Sequence, residues 1–226
     1  MGEWLKQYAP NLVEFQSEFF ISIQETLVML LLAGICTVAF GLILGIVHVV
    51  TKEGGILEQR FLHSVMDKTI NIFRAIPFVI LLAALIPFTR MIVGTAMGVK
   101  GAIIPLVVGA TPFFIRQVDM AFTDIDKGLI EAAQSMGMSP LEIIIKVYLK
   151  EGIPALAKGT TITLVSLLGL TAMGGAVGGG GIGAFVIRYG HNRYMHDITY
   201  ASVIVILILV SLIQGIGSYI VKKTTH

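Results

Sequence analysis

Charge is scarce in this chain: only 13% of its 226 residues are Asp, Glu, Lys or Arg, while 55% are hydrophobic. A water-soluble domain carries about 25% charged residues, so a soluble fold is excluded and a single-domain, all-α polytopic membrane protein is expected. Cysteine occurs once, at Cys36 inside an apolar run, which excludes an intrachain disulfide and leaves no thiol framework. No G-x-x-x-x-G-K-[ST] stretch is present, so the chain does not cradle nucleotide phosphates in that way, and uphill work would need an external motor. Gly178, Gly180 and Gly183 satisfy G-x-G-x-x-G, but they follow an apolar span and no strand precedes them, which removes the dinucleotide reading. His191 and His196 are five apart, off a common helix face and without further ligands, so no metal site is expected. Serine, histidine and aspartate never group as a nucleophilic triad, so no catalytic residue and no cofactor is assigned to the chain. Its basic residues are dispersed between apolar runs, which argues against a nucleic-acid partner.

What is present is a series of apolar runs. Leu27–Val50 is uncharged and, at 1.5 Å per residue, reaches ~36 Å, enough to cross ~30 Å of hydrocarbon. Gly41 and Gly45 within it form a G-x-x-x-G pair that lets another helix approach closely. The stretch before it mixes aromatics with Glu3, Lys6, Glu14, Glu18 and Glu25 and lacks a basic start and a cleavage site, so it is not read as a removable signal. Further spans are expected at about 69–88, with Asn71 and Arg74 in its first turns and Pro77 inside, and at about 101–115, broken by Pro105 and Pro112. Arg74 either snorkels to the interface or pairs with a carboxylate on a partner chain. Spans at about 159–177 and 198–221 complete five, with Gly174–Gly183 between them too glycine-rich for a stable helix. Five spans place the termini on opposite sides. With the C-terminus inside, eleven Lys and Arg fall at cytoplasmic ends against five outside, which sets the N-terminus outside by the positive-inside rule.

The segment from Arg116 to Lys158 carries eleven charges and is expected outside the lipid. Within 126–150, Leu129, Ala132, Ala133 and Met136 recur at helical spacing, and Leu141, Ile144, Ile145 and Tyr148 repeat the pattern, predicting two short amphipathic helices that each bury one stripe. Gly137 suits a left-handed helix end, while Ser139, Pro140 and Glu142 form a capping box with proline at the first helical position. From the residues alone this is either an ordinary loop helix pair or a docking element.

Glu131-Ala132-Ala133, then Gly137, then Val147-Tyr148-Leu149 resembles the EAA loop of permease subunits of binding-protein-dependent ABC importers. Lys150 stands where that pattern has proline, with Pro154 four residues later. Asn71–Pro77 (NIFRAIP), Ile86–Arg90 (IPFTR) and Thr171–Gly183 (TAMGGAVGGGGIG) extend the resemblance to permeases of bacterial methionine ABC importers. The resemblance implies a multi-pass subunit of the bacterial cytoplasmic membrane that pairs with a second copy of itself. It implies two copies of a cytoplasmic ATPase that hold ATP and Mg, and an extracytoplasmic substrate-binding lipoprotein. It assigns the ATPase coupling to Glu131, Ala132, Ala133, Gly137, Ser139 and Leu141. A permease for another amino acid or small polar solute is the alternative. A secondary transporter is disfavoured because five spans do not divide into two repeats and no ionisable residue is expected mid-span.

Ser166, Gly169, Met173 and Gly174 stand toward the expected outer end of the fourth span, where a homodimer brings two copies near its axis. They are the candidate gate and translocation path, Met173 as a flexible plug ahead of Gly174 and Gly175, or else Met173 packs as a gap-filler.

Overall fold

The computed structural model describes residues 7–225, so Glu3 and Lys6 of the opening stretch lie outside the described residues. Helices account for nearly all of it, and no strand occurs among the described residues. Helix α1 (Pro10–Glu14) leads into α2 (Gln16–Val50), a 35-residue helix that starts at Gln16 where the apolar run predicts Leu27. The acidic Glu18 sits in its first turn, where the positive end of the helix dipole favours it.

The expected span at 69–88 is not one helix. Helix α3 (Arg60–Ala75) is amphipathic and ends before Pro77, with Ile76 extended at φ −78°, ψ 123°, as a residue preceding proline prefers. Two short helices follow, α4 (Phe78–Ala84) and α5 (Ile86–Val93), and the latter closes on left-handed Gly94. The third span is longer than predicted: α6 (Gly98–Thr123) runs unbroken through Pro105 and Pro112. Membrane helices tolerate such prolines because neighbouring groups satisfy the freed carbonyls.

After α7 (Lys127–Ser135) comes α8 (Pro140–Ile143), which continues through a π-helical turn, Ile144–Leu149, into α9 (Lys150–Gly174). The second hairpin helix and the fourth span are therefore one 40-residue helical run, Pro140–Gly179. At ~1.5 Å per helical residue the run is longer than the ~30 Å that one crossing of the hydrocarbon needs. Pro154 lies inside α9 and does not end it. The glycine stretch breaks only in its middle: within Gly175–Gly179 the backbone is non-helical at Val177 and Gly178, and Gly180 turns the chain with φ 81°, whereas Gly174 still closes α9 and Gly181–Gly183 open the next helix, contrary to the expectation for the whole stretch. A short α10 (Gly181–Phe185), a second π turn (Val186–His191) and α11 (His196–Thr224) complete the chain. Among the described residues, four helical runs are long and apolar enough to cross a membrane: Gln16–Val50, Gly98–Thr123, Pro140–Gly179 and His196–Thr224.

The described residues form two compact units, one of residues 7–35, 77–108 and 164–213, the other of 36–76, 109–163 and 214–225. In the first, Phe19, Phe185, Tyr189 and Ile198 form a buried cluster, with the Phe19 and Phe185 rings 5.5 Å apart. Asp197 there accepts hydrogen bonds from the N–H groups of Asn11 (3.0 Å) and Leu12 (3.1 Å), which fastens α1 to the start of α11. In the second, Val49, Phe114, Val118, Phe122, Ile143 and Tyr148 belong to one core.

The G-x-x-x-G pair acts within that second core. A Cβ on Gly41 would lie 2.6 Å from Phe114 Cδ1, and one on Gly45 would lie 2.6 Å from Val118 Cβ, so the α2 and α6 backbones meet with no room for a side chain. We expect Gly45→Leu to lower the melting temperature of the detergent-solubilised protein by several degrees, since overpacking costs ~1–3 kcal/mol. Gly215→Ala, whose Cβ meets nothing within 4 Å, should leave it unchanged. Equal melting of the two variants would remove close packing as the reason for Gly45.

Candidate functional site

The hairpin is built by local signals. Asp126 caps α7, its Oδ1 accepting from the Gly128 N–H at 2.8 Å. At the other end Gly137 adopts φ 75°, and its N–H donates to the Gln134 carbonyl (2.9 Å) while the Met138 N–H donates to Ala133 (3.1 Å). These two bonds are the pair that ends a helix on a left-handed glycine. Ser139 then caps α8. Its Oγ accepts from the Glu142 N–H, and Glu142 Oε2 accepts from both the Ser139 N–H (3.0 Å) and its hydroxyl (2.9 Å). The Ser139 N–H, then the Lys146 ammonium at 3.0 Å, then the Ser139 hydroxyl hold the Glu142 carboxyl down to about 2.

Burial divides the hairpin differently from its sequence pattern. Ala133, Ile143 and Tyr148 enter the core, whereas Leu129, Met136, Leu141 and Ile145, all expected to bury, are exposed, Met136 to 74%. Glu131, Ala132, Gly137 and Ser139 are also exposed. Of the six residues assigned to coupling, Ala133 alone is buried and anchors the hairpin, while the other five face outward.

The same unit contains a polar cluster not anticipated from the sequence. His48, near the C-terminal end of α2, is buried, with Nδ1 3.4 Å from Asp119 Oδ1 and Nε2 3.6 Å from Asp67 Oδ1, neither in hydrogen-bond geometry. Its ring stacks on His63 at 4.3 Å, and His63 Nδ1 contacts the His48 carbonyl at 2.9 Å. Arg116 donates to Asp67 and to Asn71 Oδ1 (2.9 Å), and Asn71 donates to Asp67 Oδ2 (3.0 Å). The Arg116 guanidinium holds the Asp67 carboxyl below its usual range. Arg116 and Asp119 lie on α6, which continues past the expected end of the third span at about 115. Their partners are too far off in sequence for spacing to pair them. The one local signal was a helical i, i+3 pair of opposite charges at the end of an apolar run.

Ser166, Gly169 and Met173 share an exposed face of α9, Met173 being 45% exposed and a Cβ on Gly169 meeting nothing within 4 Å. Gly174 does not join them. It is buried, and a Cβ there would contact Leu82 Cδ1 at 3.8 Å and Phe78 Cε1 at 3.9 Å. The Thr163 and Thr171 hydroxyls are buried and donate back to their own helix, at Gly159 (2.8 Å) and Leu168 (2.7 Å).

Comparison with known proteins gives a consistent set. Residues 38–225 match the family model described as binding-protein-dependent transport system inner membrane component. A probable D-methionine transport system permease protein MetI of Vibrio cholerae is 44% identical over 202 residues, covering 89% of this chain and 90% of that protein. A protein of the same name from Pasteurella multocida is 44% identical over 206 residues, covering 91% and 95%. Among solved structures, one of the inward-facing conformations of the MetNI methionine ABC transporter superposes with a TM-score of 0.92 at 42% identity, covering 94% of this chain and 99% of that one.

Proposed function

Since this chain belongs to the family of binding-protein-dependent transport system inner membrane components, we propose that it is the membrane permease subunit of an ATP-driven importer of methionine. Two copies form the path, and each presents its hairpin to one copy of a cytoplasmic ATPase that holds ATP and Mg. An extracytoplasmic lipoprotein delivers the substrate. With the α4–α5 segment supplying a fifth crossing beside the four long runs, the N-terminus faces outward and the C-terminus faces the cytoplasm, the orientation that puts most Lys and Arg inside. The relatives named for methionine transport support the substrate.

One observation of this molecule carries the coupling role. Leu129, Ala132, Met136, Leu141 and Ile145 stay exposed on a hairpin whose every turn is locally capped. A rigid element with an uncovered apolar face outside the lipid is built to enter a partner's groove. The geometry suits force transfer, because the capped turn fixes how that face is presented.

Co-expression with the ATPase and the lipoprotein, followed by reconstitution into vesicles, tests the reading. Uptake of radiolabelled methionine should require ATP on the side that labels a Gln134→Cys variant and lipoprotein on the side that labels Asn192→Cys. Labelling of both cysteines from one side would overturn the orientation. Methionine uptake without ATP would overturn the importer.

A further inference from the structure

A cavity of about 340 Å³ opens among residues of the unit that contains Phe19 and Tyr189, and neither the hairpin nor the Ser166 face contributes to it. One wall is a stripe of α2: Glu18, Ile21, Ser22 and Glu25 fall at i, i+3, i+4 and i+7. A second wall comes from α10 and the π turn after it, where Phe185, Arg188 and Tyr189 are again at helical spacing. Met97, Gly98 and the turn at 178–181 close the third side.

The walls are complementary in charge. Glu25 Oε2 accepts from the Gly181 N–H at 2.6 Å, which leaves its other oxygen open, and Glu18 is exposed. Arg188 on the other wall is exposed and has no ion pair among the described residues. Glycine keeps the third side low: a Cβ on Gly180, whose φ is 81°, would lie 2.8 Å from Glu25 Oε2 and cover the carboxylate. Between the charges, Ile21, Met97, Phe185 and Tyr189 supply apolar and aromatic surface. Both signs of charge with an apolar lining, in a volume within the ~300–1,000 Å³ of small-molecule sites, fit a zwitterion with an apolar side chain better than a simple ion.

We propose that this cavity is a binding site for a free α-amino acid, with Glu18 and Glu25 taking the ammonium, Arg188 the carboxylate, and Phe185 and Tyr189 the side chain. The inference rests on the importer reading for its cargo, and it places a substrate station on this chain apart from the Ser166–Gly169–Met173 face. The ammonium meets Glu25, one oxygen of which is already satisfied by the Gly181 N–H, and the exposed Glu18, so the station holds substrate without trapping it. Arg188 is suited to the carboxylate by its planar pair of donors.

The test is equilibrium dialysis of radiolabelled methionine against the permease–ATPase complex, with no lipoprotein present, in competition with two analogues. Methioninamide lacks the carboxylate and N-acetylmethionine lacks the ammonium. Arg188→Gln should weaken methionine and N-acetylmethionine about tenfold, the worth of one charge-assisted hydrogen bond, and leave methioninamide unchanged. Glu18→Gln should weaken methionine and methioninamide and leave N-acetylmethionine unchanged. This crossed pattern is one that a merely structural role would not give. An Ala184→Cys variant with Cys36→Ala should in addition be protected by methionine from a thiol reagent. No binding and no protection, in a complex that still takes up methionine once lipoprotein is added to vesicles, would overturn the cavity and leave the importer standing. Absence of methionine uptake in that same preparation would instead remove the reading on which the cavity rests. An uncrossed loss of all three ligands in both variants would return Glu18 and Arg188 to structural roles.

Discussion

Gly137→Val is expected to abolish ATP-driven uptake and to release the ATPase during purification, while the chain still inserts in the membrane. The reason is conformational and not steric. Gly137 sits at φ 75°, and a Cβ there would meet nothing within 4 Å. For an L-residue this region costs ~1–2 kcal/mol, and a β-branched side chain is the least tolerant of it. The valine escapes by leaving the left-handed region, which breaks the Gly137–Gln134 and Met138–Ala133 hydrogen bonds and swings α8 relative to α7. The exposed residues Met136 and Leu141 flank this turn, so the face offered to the partner is the part that is lost. Asparagine enters the same region readily, so Gly137→Asn should retain most of the uptake. Both variants would be measured by methionine uptake in vesicles and by ATPase recovered with the tagged permease. Normal transport by the valine variant would sink the coupling assignment. An asparagine variant as inactive as valine would show that φ at 137 is not what matters.

The hairpin was legible in the sequence because its determinants are local. Ser139, Pro140 and Glu142 form the capping box wherever the chain can turn, and Gly137 ends a helix by its own backbone freedom. Which face would be buried was not legible. Periodicity marks Leu129, Met136, Leu141 and Ile145 as apolar without saying what covers them, and this chain's own core takes Ala133, Ile143 and Tyr148. Proline shows the same limit. Pro77 separates α3 from α4, whereas Pro105, Pro112 and Pro154 lie within unbroken helices, an outcome set by neighbours that sequence spacing does not reveal. The His48, Asp67, Arg116 and Asp119 cluster draws on three helices and left almost no local trace. The cavity stripe did leave one. Glu18, Ile21, Ser22 and Glu25 carry helical spacing, but they are hidden if α2 is taken to begin only where its uninterrupted apolar run does.

Gly169→Trp is expected to stop methionine uptake with expression and ATPase association preserved. Gly169 lies between Ser166 and Met173 on an exposed face of α9, and a Cβ there meets nothing within 4 Å, so the indole finds room in the single chain. What it fills depends on what the face opens onto. Toward lipid, a tryptophan on a membrane helix is tolerated and uptake continues. On a path between two copies of the chain, two indoles meet near the symmetry axis and close it. Met173, 45% exposed on that face, is then the flexible contact of the resting gate, since a thioether chain repacks at small cost. Gly174 is buried away from that face, and a Cβ there would make only ordinary contacts with Leu82 and Phe78, so Gly174→Ala should transport normally. In a background lacking Cys36, Met173→Cys should cross-link between copies in the resting importer and stop doing so when lipoprotein and trapped nucleotide open the outer side. Met173→Ala should leak, or hydrolyse ATP without matching uptake. An active Gly169→Trp importer together with no cross-link at 173 in either state would assign this face to lipid and move the path elsewhere.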